Sequence, residues 1–164
     1  MINVGQFRSL VIETLKGINM HSNAAVNLLV GTAAVESNLK YLKQFGDGPA
    51  VSFLQVEGAT IHDNIQNYLQ YRSSRMSKVV ETCKTPEESI LLKYNSNDLA
   101  DLAYKNISFA IAMARIKYWR VPKKLPVEND IEGMAKYWKD YYNTSLGKGT
   151  PEKFIKAYEV LWWH

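Results

Sequence analysis

One stretch constrains the fold more than any other: residues 24–35, AAVNLLVGTAAV, are apolar on almost every side of a helix. A helix without a polar face has to be covered by other elements, so this segment predicts the central helix of a mainly helical domain. Ser22 or Asn23 is a suitable cap for its first turn. Gly31 and the neighbouring alanines allow other elements to approach closely. The apolar pattern stops at Glu36.

Glu36 is the first candidate functional residue. Burial disfavours the charged form of a carboxyl group and raises its pKa, which suits a general acid working near neutral pH. A segment rich in Gly, Pro and Asp follows over residues 46–49, and then a β-like run, VSFLQV, over residues 51–56. A structural, salt-bridged glutamate is the alternative interpretation of Glu36.

Three short motifs around Glu36 resemble a known signature. Ala34 to Leu39 (AVESNL), Gly48 to Gln55 and Ala59-Thr60 are similar to the Glu-Ser … Gly … Gln-Ile … Ala-Thr pattern of the lysozyme-like superfamily. The most similar members are soluble lytic transglycosylases and goose-type lysozymes, phage versions included. The resemblance implies a mainly α (α+β, lysozyme-like) fold, a helical bundle around a central buried helix with a small β-hairpin lining the cleft. It also implies that Glu36 is the catalytic acid.

The activity implied by this resemblance is that of a muramidase, which cleaves the β-1,4 bond between N-acetylmuramic acid and N-acetylglucosamine in peptidoglycan. Two mechanisms stay open. A lytic transglycosylase uses the same Glu as acid and base and closes a 1,6-anhydro ring without water. A lysozyme activates water, usually with a second carboxylate, and Asp47 is the only acid between Glu36 and the β-like run. The sequence Gly46-Asp47-Gly48 is equally well explained as a plain turn.

Five further residues are candidates for binding the glycan: Ser37, Ser52, Gln55, Tyr142 and Asn143. Tyr142-Asn143 resembles the Tyr-Asn-x-Gly motif of lytic transglycosylases, in which the Tyr hydroxyl lies near the catalytic Glu. The chain departs from the family pattern twice. Ser52 stands where the transglycosylases have Gly, and Gly147 comes later than the motif requires. Tyr141 competes with Tyr142 for the cleft, and an aromatic cluster at a helix end explains both rings equally well.

The rest of the chain predicts helices that pack around this region. Helical spacing and capping signals predict them over residues 4–17, 61–72, 85–95, 99–119 and 131–142, with a last helix after Thr150-Pro151 whose apolar face includes Trp162. Residues 72–84 are basic, and Arg72, Arg75 and Lys78 form a modest patch. This patch is either a solvated face or a contact for an anionic polymer.

Composition narrows the class of protein. The 164 residues are 46% hydrophobic and 22% charged, which is typical of one globular domain, here residues 1–164. A net charge of +4 favours anionic partners. Cys83 is the only cysteine, so we expect neither an intrachain disulfide nor a cysteine-based zinc site, and we interpret its thiol as structural. No cofactor and no metal are predicted.

The expected setting is a bacterial cell wall attacked by a phage. The first ten residues lack the pattern of a signal peptide, and no apolar run is long enough to span a membrane. We therefore expect an enzyme made in the host cytoplasm that acts on the cell wall in the periplasm, as an endolysin released by a holin, or is carried in the virion. Its expected partners are peptidoglycan glycan strands, with a holin or other virion proteins as further possibilities.

Two other classes of protein stay open. The first is a non-catalytic structural or glycan-binding virion protein that keeps the lysozyme-like fold. The second is a basic helical module that binds nucleic acid, which would concentrate Lys and Arg on one helix face. Here these residues are spread from Arg8 to Lys156, so nucleic acid is not an expected partner.

Overall fold

The computed structural model describes residues 2–144 and 146–161, and Trp162 lies outside them. The α-helices are α1 (Val4–Gly17), α2 (Asn23–Ser37), α3 (Gly58–Gln66), α4 (Ser73–Cys83), α5 (Glu88–Leu91), α6 (Ser96–Lys105), α7 (Ile107–Trp119), α8 (Ile131–Trp138) and α9 (Pro151–Val160). The strands β1 (Ala50–Val51) and β2 (Val56–Glu57) form one antiparallel pair. A 3₁₀ turn spans Leu69–Tyr71, and a π-helical turn spans Lys139–Asn143. The expectation of a mainly α chain with a small β-hairpin is confirmed.

Helix α2 is a central helix, as its apolar sequence predicts. Ser22 caps it, since its hydroxyl accepts a hydrogen bond of 3.1 Å from the backbone N–H of Ala25. The helix packs against α1, α7, α8 and α9. The ring of Phe154 in α9 lies directly against Gly31, where a Cβ atom would clash with the ring. Glu36 is thereby carried to the edge of a tightly packed core.

Helix α7 is the second helix that is buried all round, with every residue from 109 to 116 buried. The sequence predicted one helix over 99–119, and this is wrong because the chain breaks at Asn106. The backbone of Asn106 is extended, and its side chain caps α7 by accepting a hydrogen bond of 2.9 Å from the N–H of Phe109. The same side chain donates to the carbonyl of Cys83 at 2.7 Å, which fixes the break against α4.

The β-like run over 51–56 does not form one strand. It contains the end of β1, the connecting loop and the start of β2. Val51 pairs with Val56, and the residues between them form the connecting loop. Ser52 and Gln55 have positive φ angles of 69° and 48°, a left-handed conformation that reverses the chain. The predicted strand is wrong because its apolar pattern reflects side chains buried within this loop.

Three other predicted helices are shorter in the structure. The helix expected over 61–72 stops after α3 and continues as the 3₁₀ turn, and the one expected over 85–95 is only the single turn α5. The helix expected over 131–142 widens after Trp138 into the π-helical turn. A π-helical turn of this kind changes the direction in which the following side chains point.

The buried apolar side chains form one continuous cluster, and all nine helices in the described ranges contribute to it. Cys83 belongs to this cluster, and burial raises the pKa of its thiol to about 12. The structural interpretation of this thiol is consistent with that position. No helix within residues 2–144 and 146–161 combines the length and the apolar character needed to span a bilayer.

Candidate active site

Glu36 is the second-to-last residue of α2, and it lines a cleft of about 550 Å³. The helix ends immediately afterwards because Asn38 and Leu39 both adopt left-handed backbone conformations, with φ of 52° at each. Leu39 is fully buried, so packing holds this uncommon conformation in place. The chain turns away and leaves the carboxyl group of Glu36 at the cleft.

Separate parts of the chain form the walls of this cleft. Besides Glu36, the lining residues are Gln44, Ala50, Gln55, Val56, Glu57, Thr60, Lys117, Tyr142, Asn143, Thr144, Gly147 and Lys148. They come from the loop before the hairpin, the hairpin itself, the start of α3, the end of α7, the π-helical turn and the segment after it. A second depression of about 350 Å³ shares Glu36, Gln44 and Gln55 with the cleft. The cleft and the second depression therefore adjoin at these three residues.

The carboxyl group of Glu36 is half-buried, and burial raises its pKa above the ordinary value. Two smaller effects act in the opposite direction. The indole N–H of Trp138 donates a hydrogen bond of 2.9 Å to Glu36 Oε1, and the positive charge of Lys117 favours the carboxylate. A raised pKa keeps the proton on this group at a higher pH than on an exposed glutamate, as general acid catalysis requires.

Lys117, near the end of α7, is a site residue that the sequence reasoning missed. Its ammonium group lies 4.0 Å from the centre of the Tyr142 ring and donates a hydrogen bond of 2.9 Å to the Tyr142 carbonyl. Burial lowers the pKa of Lys117, while the charges of Glu36 and Glu57 raise it. A lysine in a largely apolar helix, which also contains Arg115, is the sequence signal that points to this residue.

Glu57 is the second carboxylate of the cleft. It stands at the end of β2 with an exposed side chain, and it lines the same cleft as Glu36. Asp47, the sequence-based candidate for this role, is exposed in the bend before the hairpin and is not among the residues lining the cleft or the second depression. Its position agrees with the turn interpretation.

Ser37 and Tyr142, two of the predicted glycan-binding residues, use their hydroxyl groups to hydrogen-bond the hairpin loop. The hydroxyl of Ser37 lies 2.7 Å from the carbonyl oxygen of Phe53 and donates to it. The hydroxyl of Tyr142 donates a hydrogen bond of 2.7 Å to the carbonyl of Leu54, while its ring lines the cleft. In the Glu36-Ser37 motif, the first residue thus supplies a carboxyl group to the cleft and the second holds the hairpin loop beside it.

Ser52 and Gln55 lie at the two ends of the same loop. Ser52 is fully buried, does not line the cleft, and its hydroxyl has no hydrogen-bond partner among the residues that the structure describes. Gln55 lines both the cleft and the second depression. The N–H of its side-chain amide donates a hydrogen bond of 2.8 Å to the Ser52 carbonyl. Its side-chain oxygen remains available to accept a hydrogen bond from a ligand.

Asn143 lines the cleft, but its side chain serves the segment that follows. Its Oδ1 accepts hydrogen bonds from Lys139 Nζ at 2.9 Å and from the N–H of Gly149 at 3.2 Å. Lys139 also donates to the carbonyls of Thr144 and Gly147, at 2.8 Å in each case. The altered Tyr-Asn … Gly segment is therefore a turn organised by one lysine.

An exposed aromatic pair lines the second depression and was also missed. Tyr41 and Phe45 have ring centres 4.5 Å apart in a T-shaped arrangement, and Phe45 is 76% exposed. Exposed rings beside a groove are suitable platforms for the apolar faces of sugars. Tyr141, the competitor of Tyr142, lines a neighbouring depression with Thr60 and Lys117.

No cluster of three or more His, Cys, Asp or Glu side chains suited to a metal ion occurs in the part of the chain that the structure describes. The cleft contains the carboxyl groups of Glu36 and Glu57, the ammonium group of Lys117 and the ring of Tyr142. Comparisons of the chain with protein-family models, with curated proteins and with solved structures each found no match.

Proposed function

We propose that this chain is a muramidase with a lysozyme-like fold, which cleaves the β-1,4 bond between N-acetylmuramic acid and N-acetylglucosamine in peptidoglycan. Glu36 is the general acid. The observation that carries the proposal is the environment of Glu36, which is half-buried, has a raised pKa and lies where the cleft and the second depression adjoin in one groove. A groove of this form suits a chain substrate cut internally. The motif resemblance over residues 31–60 supports the same activity.

The proposed step begins with neutral Glu36. Its proton passes to the glycosidic oxygen while the bond between that oxygen and C1 of the muramic acid breaks, leaving an oxocarbenium-like centre at C1. The Glu36 carboxylate formed in this step keeps the hydrogen bond from Trp138 and the favourable charge of Lys117. Burial therefore favours the acid before the step, and these two groups stabilise the anion after it.

Completion of the reaction requires a nucleophile at C1, whose proton returns to a carboxylate. In the transglycosylase mechanism this nucleophile is the sugar's own 6-hydroxyl, and Glu36 takes its proton. In the lysozyme mechanism it is water, which a second carboxylate orients and deprotonates. Glu57 is the better candidate than Asp47 for this second role because it lines the cleft with Glu36.

The proposed setting is a phage endolysin or a virion-associated lysin. The net charge of +4 supports action on an anionic wall, because a basic protein is attracted to anionic polymers. A holin or other virion proteins are the partners that this setting implies.

The test is digestion of purified peptidoglycan, followed by mass spectrometry of the released fragments. Wild type should release muropeptides, and Glu36→Gln should release none because the amide has no acidic proton to transfer. Asp47→Asn is the matched control and should behave as wild type. Anhydro ends that persist in Glu57→Gln identify a transglycosylase, whereas reducing ends that disappear in Glu57→Gln identify a lysozyme that uses this residue.

A second candidate function is glycan binding without cleavage. The exposed Tyr41–Phe45 pair favours it, because these rings can hold a sugar without any chemistry at Glu36. In that case wild type and Glu36→Gln would bind insoluble peptidoglycan equally, and neither would release fragments from any of several wall types.

A further inference from the structure

Apart from the cleft and the depressions beside it, the structure has a cavity of about 460 Å³ between the end of α1 and the start of α4. It shares no lining residue with the cleft that contains Glu36. Its lining includes the three cationic side chains Arg72, Arg75 and Lys78, together with the hydroxyl-bearing residues Ser73 and Ser74. The basic patch noted in the sequence therefore lines an open cavity whose side chains are mostly exposed.

Two of these cations are held in place by uncharged groups. The guanidinium of Arg72 lies 4.0 Å from the centre of the Tyr68 ring and donates a hydrogen bond of 3.2 Å to the Tyr68 carbonyl. The guanidinium of Arg75 donates a hydrogen bond of 2.7 Å to the Tyr68 hydroxyl and lies 4.8 Å from the centre of the Trp119 ring. Stacking and neutral acceptors orient both groups without neutralising their charge.

No carboxylate in the part of the chain that the structure describes forms an ion pair with these three cations. The ion pairs within residues 2–144 and 146–161 join Lys105 to Asp101 and Arg120 to Asp63, and neither involves a residue of the cavity. A further cation, buried Arg115, lies 5.0 Å from the centre of the Trp119 ring. Burial lowers the pKa of Arg115 to about 10. The charge of Arg75 acts in the same direction, and Tyr137 and Tyr68 act in the opposite one. A bound anion would relieve this accumulation of positive charge.

We propose that this cavity binds the phosphate group of a phosphate-bearing ligand. Three cations suit a group that carries up to two negative charges better than they suit a single carboxylate. Guanidinium groups present parallel N–H donors that match the oxygen atoms of phosphate. The hydroxyls of Ser73 and Ser74 supply further donors, and the ring of Tyr71, 73% exposed at the cavity, provides a surface for the organic part of the ligand.

The first test is isothermal titration of the folded protein with inorganic pyrophosphate. The variant Arg72→Gln/Lys78→Gln removes two exposed charges from the cavity, and we expect it to weaken binding by about tenfold or more. The control Lys93→Gln/Lys124→Gln removes the same charge from exposed positions outside the cavity and should weaken binding by less than about twofold. An equal loss of pyrophosphate affinity in both variants would show that net charge alone accounts for the binding, and it would overturn the proposal.

Arg75→Lys tests the geometry separately, because it keeps the charge but removes the planar group that stacks on Trp119. Binding weaker than that of wild type is expected, with an unchanged melting temperature as the check on folding. Binding of poly-glutamate as tight as that of a phosphate polymer would contradict the preference for phosphate. Absence of pyrophosphate binding by wild type would contradict the site altogether.

The source of the phosphate is distinguished by two further probes. A soluble poly(glycerol phosphate) represents a wall-type phosphodiester chain, and vesicles of phosphatidylglycerol represent a lipid surface. Binding of either that is lost in Arg72→Gln/Lys78→Gln supports the site and identifies its source. Glu36→Gln should bind all three probes as tightly as wild type does, because Glu36 does not line this cavity. Failure of the proposed cleavage would therefore leave phosphate binding unaffected.

Discussion

The indole N–H of Trp138 lies 2.9 Å from Glu36 Oε1, to which it donates a hydrogen bond across 102 positions of sequence. Trp138 is itself almost fully buried and packs against the ring of Phe154. The orientation of the candidate acid is thereby tied to the packing of α8 and α9. Because this bond favours the charged carboxylate, it also limits how far burial raises the pKa of Glu36.

Trp138→Phe should raise the pKa of Glu36 further, since Phe retains the ring but lacks the N–H donor. Titration of the Glu36 side-chain carboxyl carbon by NMR measures this directly. Trp119→Phe is the matched control, because Trp119 is half exposed and has no contact with Glu36 among the hydrogen bonds of the described residues. An unchanged or lower pKa in Trp138→Phe would contradict the assigned role of the indole.

Lys117→Met should also raise the pKa of Glu36, because it removes a positive charge that favours the carboxylate. In the proposed reaction the protonated acid then persists to higher pH, so the alkaline limb of the kcat/KM profile on peptidoglycan should move to higher pH. The rate at the optimum should fall, because the carboxylate formed during cleavage loses a stabilising charge. Lys124→Met, an exposed lysine outside the cleft, should leave both quantities unchanged.

Glu36→Gln should stabilise the protein at neutral pH. The pKa of Glu36 in the folded protein lies above the ordinary value of 4.5, so the folded state binds this proton more tightly than the unfolded state does. The stability of wild type therefore falls as pH rises from the ordinary pKa through the raised one. Melting curves should show the two proteins converging near pH 4, about where both side chains are neutral, and the difference in Tm growing above it. A difference that does not vary with pH would contradict the raised pKa.

Gly58→Ala should destabilise the fold by about 1–3 kcal/mol, although alanine is the better helix former. A Cβ atom at residue 58 would meet the backbone carbonyl oxygen of Ser96 at the start of α6, and a backbone atom cannot easily move aside. Urea unfolding measures the change. Ala59→Ser, at the exposed neighbouring position, should change the free energy of unfolding by less than about 0.5 kcal/mol.

The thiol of Cys83 should be unreactive in the folded protein. It is buried, and burial raises its pKa to about 12, so the reactive thiolate is scarce at pH 8. A colorimetric disulfide reagent should label no thiol in buffer and one per chain in urea, because the sequence contains a single cysteine. Rapid labelling of the folded protein would show that α4 opens locally.

The parts of the fold that the sequence predicted well are those governed by local pattern. Helices α1 and α2 follow from apolar periodicity and capping residues, and Glu36 lies at the end of α2 as expected because the apolar run stops there. The break at Asn106 was missed although asparagine is a good helix cap. Apolar residues continue on both sides of it, and the periodicity alone does not reveal a single extended residue.

The candidate site was predicted only where a motif is contiguous. Glu36, Gln55 and Tyr142 were named from sequence, and the structure brings all three to one cleft. Lys117, Trp138 and Glu57 were not, because their importance depends on tertiary contacts with residues distant in sequence. Ser52 was misjudged for a related reason. Its left-handed backbone buries the side chain, whereas an extended strand would have left it on a surface.

The two long-range hydrogen bonds of the cleft have a consequence for a chain that is still being synthesised. Trp138 reaches Glu36 across 102 positions, and Tyr142 reaches Leu54 across 88. A nascent chain that ends before α8 already contains α2 and Glu36. It lacks the indole of Trp138, which donates to the Glu36 carboxyl group, and the hydroxyl of Tyr142, which donates to the carbonyl of Leu54 in the hairpin loop. The Glu36 carboxyl group therefore acquires its hydrogen-bond donor, and the hairpin loop its anchor, only when the last helices have been synthesised.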